Sequence, residues 1–143
     1  MAQFRRVPHV IYATDTVTAN ARNSQIAVNA LTNNLAYDFE VMDFSLEGRD
    51  AQGNAVGNNL WRVRIQDLGL NVDLTKNSTL VLNLVRNDTR LWDISYDVSG
   101  GGKAGHVIRS GGGAIAIYVD DLSNATLNVH VGIHGYLLVP VNA

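Results

Sequence analysis

Across residues 37–141 apolar and polar letters alternate almost without break, ending in Leu127-Asn128-Val129-His130-Val131-Gly132-Ile133-His134-Gly135-Tyr136-Leu137-Leu138-Val139-Pro140. Residues two apart share one face of a strand. The run therefore predicts a long terminal strand burying Leu127, Val129, Val131, Ile133, Leu137 and Val139. A period of two sustained over most of a chain leaves little room for helices and points to stacked sheets.

The remaining segments fill in that picture. Residues 7–13 form a short apolar run behind Pro8, which suits an edge strand or an ordered arm because proline cannot donate to a ladder. Residues 24–31 fit a strand through Ile26, Val28 and Ala30 better than a helix, and Asn33-Asn34 then turns the chain. In residues 37–46 the alternation slips phase between Val41 and Met42, which a β-bulge would accommodate. Residues 47–59, with Gly48, Gly53, Gly57 and Asn58-Asn59, make a long polar connection. Trp61, Val63 and Ile65 then point inward from a clean strand, and Leu68, Leu70, Val72 and Leu74 continue the rhythm past a bend at Gly69. Leu80, Leu82 and Leu84 predict the next buried row, Asn87-Asp88 a turn, and Trp92, Ile94, Tyr96 and Val98 one further strand. Seven of the thirteen glycines fall within residues 99–113 around Val107-Ile108, a segment expected to be flexible. Ile115, Ile117 and Val119 resume a strand, and Asp120-Asp121 with Ser123-Asn124 predicts a turn. The expected architecture is an all-β antiparallel β-sandwich, jelly-roll-like, of about eight strands. Residues 1–22 read as an N-terminal arm or edge strand and residues 23–143 as a single β-sandwich domain.

Composition narrows the function. Net charge is -2 with no basic stripe, which disfavours nucleic acid or an anionic membrane as partner. The chain has no cysteine, so disulfides, thiolate catalysis and cysteine-based metal sites are excluded. No stretch approaches the roughly 18 apolar residues of a membrane span, and no apolar run follows the basic residues near the start. The expectation is a soluble protein made and used without export.

Motifs that carry chemistry are weak. Gly100-Gly101-Gly102-Lys103-Ala104 departs from a phosphate-binding loop, because Asp97 replaces its first glycine and Ala104 its magnesium-binding hydroxyl. His130 and His134 share a strand face but lie ~13 Å apart, too far for one metal ion. Asp120-Asp121, Asp38/Glu40 and Asp93/Asp97 are available carboxylate pairs, placed as solvent-facing or turn residues. A calcium-loop spacing is missing. Trp61 and Trp92 could stack sugars if exposed but share phase with aliphatic neighbours, which predicts core positions. No catalytic residue, metal ligand or cofactor is expected.

The strand Trp61-Arg62-Val63-Arg64-Ile65-Gln66-Asp67, the strand and turn at residues 115–124, and the closing run at residues 129–138 together resemble, in overall pattern, the small jelly-roll proteins that decorate or cement capsids of tailed bacteriophages. The likeness covers about residue 36 onward. It implies a non-enzymatic virion protein made in the host cytoplasm and carried on the capsid surface. Such a protein binds the major capsid protein, assembles as a homo-oligomer (dimer or trimer) and needs no cofactor. In that setting Phe4, Arg5, Arg6, Val7 and Pro8 look like an arm that reaches a neighbouring subunit. The alternative is a carbohydrate- or receptor-binding β-sandwich module of a phage tail fibre.

Overall fold

The computed structural model describes residues 3–27, 36–85 and 90–141. Its strands are β1 (Phe4–Val17), β2 (Ser24–Ile26), β3 (Asp38–Arg49), β4 (Trp61–Asp67), β5 (Val72–Asp73), β6 (Thr79–Leu80), β7 (Leu91–Asp93), β8 (Tyr96–Asp97), β9 (Lys103–Ala104), β10 (His106–Ile108), β11 (Ile115–Asp121) and β12 (Leu127–Pro140). Among the described residues ten of them form two antiparallel sheets, and β8 pairs with β9 apart from both. The first runs β1-β12-β3-β10, with β7 also on β3; the second runs β2-β11-β4-β5, with β6 also on β4.

The short pieces are halves of two edge strands. β10 pairs residues 39–41 of β3 and β7 pairs residues 43–45 on the same strand, while β5 and β6 divide β4 in the same way. Counting each divided edge once leaves, among the described residues, eight sandwich strands in sheet orders 1-8-3-6 and 2-7-4-5, which is the double Greek key of a jelly roll. The β8–β9 hairpin is an insertion between the halves of the sixth strand.

Alternation places the core between the sheets. Phe39, Val41, Phe44, Leu46, Trp61, Val63, Ile65, Ile117, Val119, Leu127, Val129, Val131 and Ile133 are each no more than 1% exposed. Burying one such side chain contributes roughly 1.5–3 kcal/mol relative to leaving it in water. Inward residues are odd-numbered up to Val41 and even-numbered from Phe44, because a bulge intervenes. His134 pairs with Asp43 but Gly135 pairs with Val41, leaving Met42 as the extra residue. Two glycines make room for that distorted backbone. A Cβ on Gly135 would lie 1.8 Å from the Glu40 carbonyl oxygen, and one on Gly105 would lie 2.0 Å from that of Val41.

Several expectations are corrected. Leu68, Leu70 and Val72 are 45%, 57% and 46% exposed rather than a buried row. Asn71 adopts a left-handed φ of 54°, and Leu70 N–H donates to Asp67 Oδ1, so the chain turns outside the sandwich before β5. At residues 80–85 the phase is inverted, with Val81 and Val85 buried and Leu82 exposed. A 3-10 turn over Val81–Asn83 replaces the strand, and Val85 N–H reaches back to Val81 O, so residues four apart share the inward face. Residues 92–98 divide into β7 and β8 instead of one strand. Within the glycine-rich segment, Gly100 and Gly101 take positive φ in the β8–β9 turn, and Ile108 is buried in β10. Asp120 and Asp121 end β11 rather than forming a turn. Of the predicted strand at residues 24–31, Ser24–Ile26 forms β2, while residues 28–35 and the turns at Asn33-Asn34 and Asn87-Asp88 lie outside the described residues.

Candidate interaction surface

The residues expected to be an arm, Phe4, Arg5, Arg6, Val7 and Pro8, are the first five of β1 in residue number from Phe4, and all pair with β12, from Phe4 with Pro140 to Pro8 with Tyr136. β1 ends its sheet, so its other edge has no strand partner among the described residues. Which groups face that edge follows from one hydrogen bond. Val141 N–H donates to Gln3 O at 2.9 Å, and ladder bonds alternate along an antiparallel pair, so odd-numbered residues of β1 bond to β12. Even-numbered residues turn their backbone groups to the open edge. Pro8 fits because its missing N–H falls on that side.

Side chains of these even residues lie on the outward face. Phe4 is 52% and Tyr12 72% exposed. Arg6 is anchored: its Nε lies 3.0 Å from Glu40 Oε1, and its Nη2 donates to Glu40 Oε2 and to the Lys103 carbonyl, each at 3.1 Å. Gly105 N–H adds a bond to the same buried carboxylate. The Arg6 guanidinium also sits 5.6 Å from the Tyr136 ring centroid. Residues 4–8 are thus held as a strand by backbone pairing and by an ion pair to β3.

Phe4 of β1 joins Leu70, Ile94, Tyr96, Val107 and Leu138 in lining one open depression of about 720 Å³. The loop before β5, the β8 hairpin and the start of β1 bring these apolar groups together. Periodicity places Leu70 and Tyr96 in alternating strand rows, a pattern that does not mark them as a surface.

Polar groups on the outer face of the first sheet are arranged as neighbours in a flat ladder. His134 Nε2 and Ser45 Oγ are 3.0 Å apart over Gly132, and Tyr12 packs edge-on against His134. Asp43 is paired opposite Asp93 in the β3–β7 ladder. Burial raises the Asp43 carboxyl pKa, the positive field of His134 lowers it in part, and Asp93 raises it further. A serine beside a histidine is the start of a nucleophile pair, but acyl transfer also needs donors aimed at the developing oxyanion. Ser45 lies in the ladders to β12 and β7, and Leu46 N–H donates to Arg90 O, so the neighbouring strands take up the local backbone.

The other candidates hold the fold. Asp67 and His106 join the two sheets at 2.6 Å. The buried Asp121 accepts from Ser123 N–H and Oγ and from Asn20 N–H, and Asp120 accepts from Asn23 N–H and Ser78 Oγ. Trp61 is fully buried, and Trp92 stacks on Phe44 with ring centroids 5.4 Å apart. His130 is exposed, and no group of three metal-ligating side chains occurs among the described residues.

No family model and no curated protein matches the chain. Among solved structures it is similar to a chain of the cyanophage Pam1 capsid asymmetric unit, at 16% identity over 92% of this chain and 86% of that one, with a TM-score of 0.49. It is also similar to a chain of the acid-stable capsid of Helicobacter pylori bacteriophage KHP30, at 15% identity over the whole of both, with a TM-score of 0.42.

Proposed function

We propose that the chain is a structural virion protein, a cement or decoration protein that binds the major capsid protein and stabilises a phage capsid from its surface. It works without catalysis, as a homo-oligomer, through protein–protein contacts. The observation that carries this reading is the depression in which Phe4, Leu70, Tyr96 and Val107 gather exposed apolar surface, with Asp38, Asp73, His106 and Arg109 also on its lining. Exposed apolar groups gathered in one place mark association sites. Jelly rolls serve as capsid and lectin domains alike, so the surface and not the fold has to choose between them.

The test mixes purified protein with capsids that lack it and sediments the capsids. Wild-type protein is expected to pellet in a fixed ratio to capsid subunits, and Leu70→Ser with Tyr96→Ser to stay in the supernatant while folding normally. Wild-type protein left in the supernatant at saturating concentration refutes the capsid role. A second reading, sugar or receptor binding, loses both tryptophans as stacking platforms but keeps Tyr12, which lines an open depression with Ser45, Glu47, Arg90 and His130. Glycan-array binding abolished by Tyr12→Ala would favour it.

A further inference from the structure

We propose that the open edge of β1 pairs antiparallel with the β1 edge of a second copy of this chain, joining two first sheets into one across a two-fold axis at Val10. The inference stands apart from the capsid reading and rests on the strand itself. β1 is 14 residues long, and its even-numbered residues present backbone groups outward along it. Long edges in stable proteins are usually blunted by proline or charge. Here Pro8 removes one donor, but Val10, Tyr12 and Thr14 keep theirs, and Val10 and Tyr12 expose apolar surface.

Charge selects the partner and the register. Arg5 and Arg6 lie at one end of β1 and Asp15 at the other. A parallel pairing sets like charges together; an antiparallel pairing of identical strands sets them in opposition, which is what an isologous two-fold contact requires. Outward bonding by even residues restricts the register to steps of two. With Val10 opposite the partner's Val10, Arg5 faces the partner's Asp15, Arg6 faces the partner's Thr14, and Pro8 lies under the partner's exposed Tyr12 ring. Shifting one step either way puts Arg5 opposite Ala13 or Val17 instead. Arg5 makes no ion pair among the described residues, so it is available for this one.

The purified chain is expected to sediment as a dimer. It has no cysteine, so Val10→Cys introduces a lone thiol that meets its own copy at the axis, within the Cα separation a disulfide spans. On mild oxidation Val10→Cys is expected to give a covalent dimer, while Leu82→Cys, on an exposed site elsewhere, is not. Val10→Pro deletes the outward N–H and, like Pro8, no bond to β12; it is expected to weaken association about tenfold or more. A wild-type chain that sediments as a monomer, a Val10→Cys chain that links no faster than Leu82→Cys, or a folded Val10→Pro chain that associates like wild type overturns the proposal. Should Val10→Pro fail to fold, the two cysteine variants decide. All of these readings are made without capsids, so they separate this contact from capsid binding.

Discussion

The ion pair between Arg6 and Glu40 supplies the sharpest test of how β1 is held. The Glu40 side chain is 6% exposed and that of Arg6 46%. An exposed pair contributes about 0–1 kcal/mol, whereas removing one partner of a buried pair costs about 3–5 kcal/mol because the other charge is stranded. Here the stranded group after Arg6→Ala is a buried carboxylate whose remaining bond is to Gly105 N–H, yet water reaches half of the guanidinium site. An intermediate cost of about 2 kcal/mol follows. Glu40→Gln in the Arg6→Ala background removes the charge that needed a counter-ion, so the double variant should be more stable than Arg6→Ala alone. Urea unfolding at neutral pH measures all four proteins, and hydrogen exchange at residues 4–8 reports whether the start of β1 frays. If Arg6→Ala costs less than about 0.5 kcal/mol, or the double variant loses the sum of the two single losses, the buried carboxylate is not what anchors the strand.

Three further outcomes are expected. Gly135→Ala should lower stability by about 3 kcal/mol or more, because its Cβ would meet the backbone of Glu40 and not a yielding side chain, and thermal unfolding reads this directly. Trp61→Ala should cost about 3–5 kcal/mol and Leu82→Ala less than about 0.5 kcal/mol; equal losses would contradict the inverted phase at residues 80–85. Asp43 has a folded pKa raised above 3.8, so between the two values the folded state holds more protons than the unfolded one and stability falls as pH rises through that window. Asp43→Asn should therefore stabilise the protein at neutral pH and lose that advantage below pH 3.8, as urea midpoints across pH would show.

Much of the sandwich was legible because strand alternation is a local property. The inward rows of β4, β11 and the first half of β12 have their sequence phase, and the slip at Val41–Met42 marks the bulge itself. The rows at residues 68–74 and 80–84 misled for a physical reason. Leu80, Leu82 and Leu84 at i, i+2 and i+4 satisfy a strand, but Val81 and Val85 at i and i+4 satisfy a turn of helix, and a single left-handed asparagine, Asn71, ends a strand without disturbing the letters. The start of β1 hid in the opposite way. Residues 4–8 are mostly exposed, so burial wrote no pattern into them, and their anchor Glu40 is 34 residues away in sequence. His106 and Asp67, 39 residues apart, were equally invisible as a pair.

The surfaces proposed for association follow from unequal strand lengths. β1 and β12 are 14 residues each, while β4 and β11, the central strands of the facing sheet, are seven. At ~3.3 Å per residue the first ribbon is about twice as long as the layer that covers it. Alternation continues into the overhang, but with little opposite to bury it: the inward-phase Val7 and Leu137 are only half-buried and Arg5 is exposed, whereas Ala13, Val17, Leu127 and Val131 are closed in. A ribbon that outruns its partner sheet keeps its hydrogen bonds and loses its cover. Shortening β1 and β12 together by their paired ends should consequently spare the core and abolish association, whereas shortening β4 or β11 should unfold the chain; that contrast separates a fold that ends in a contact surface from one that merely frays.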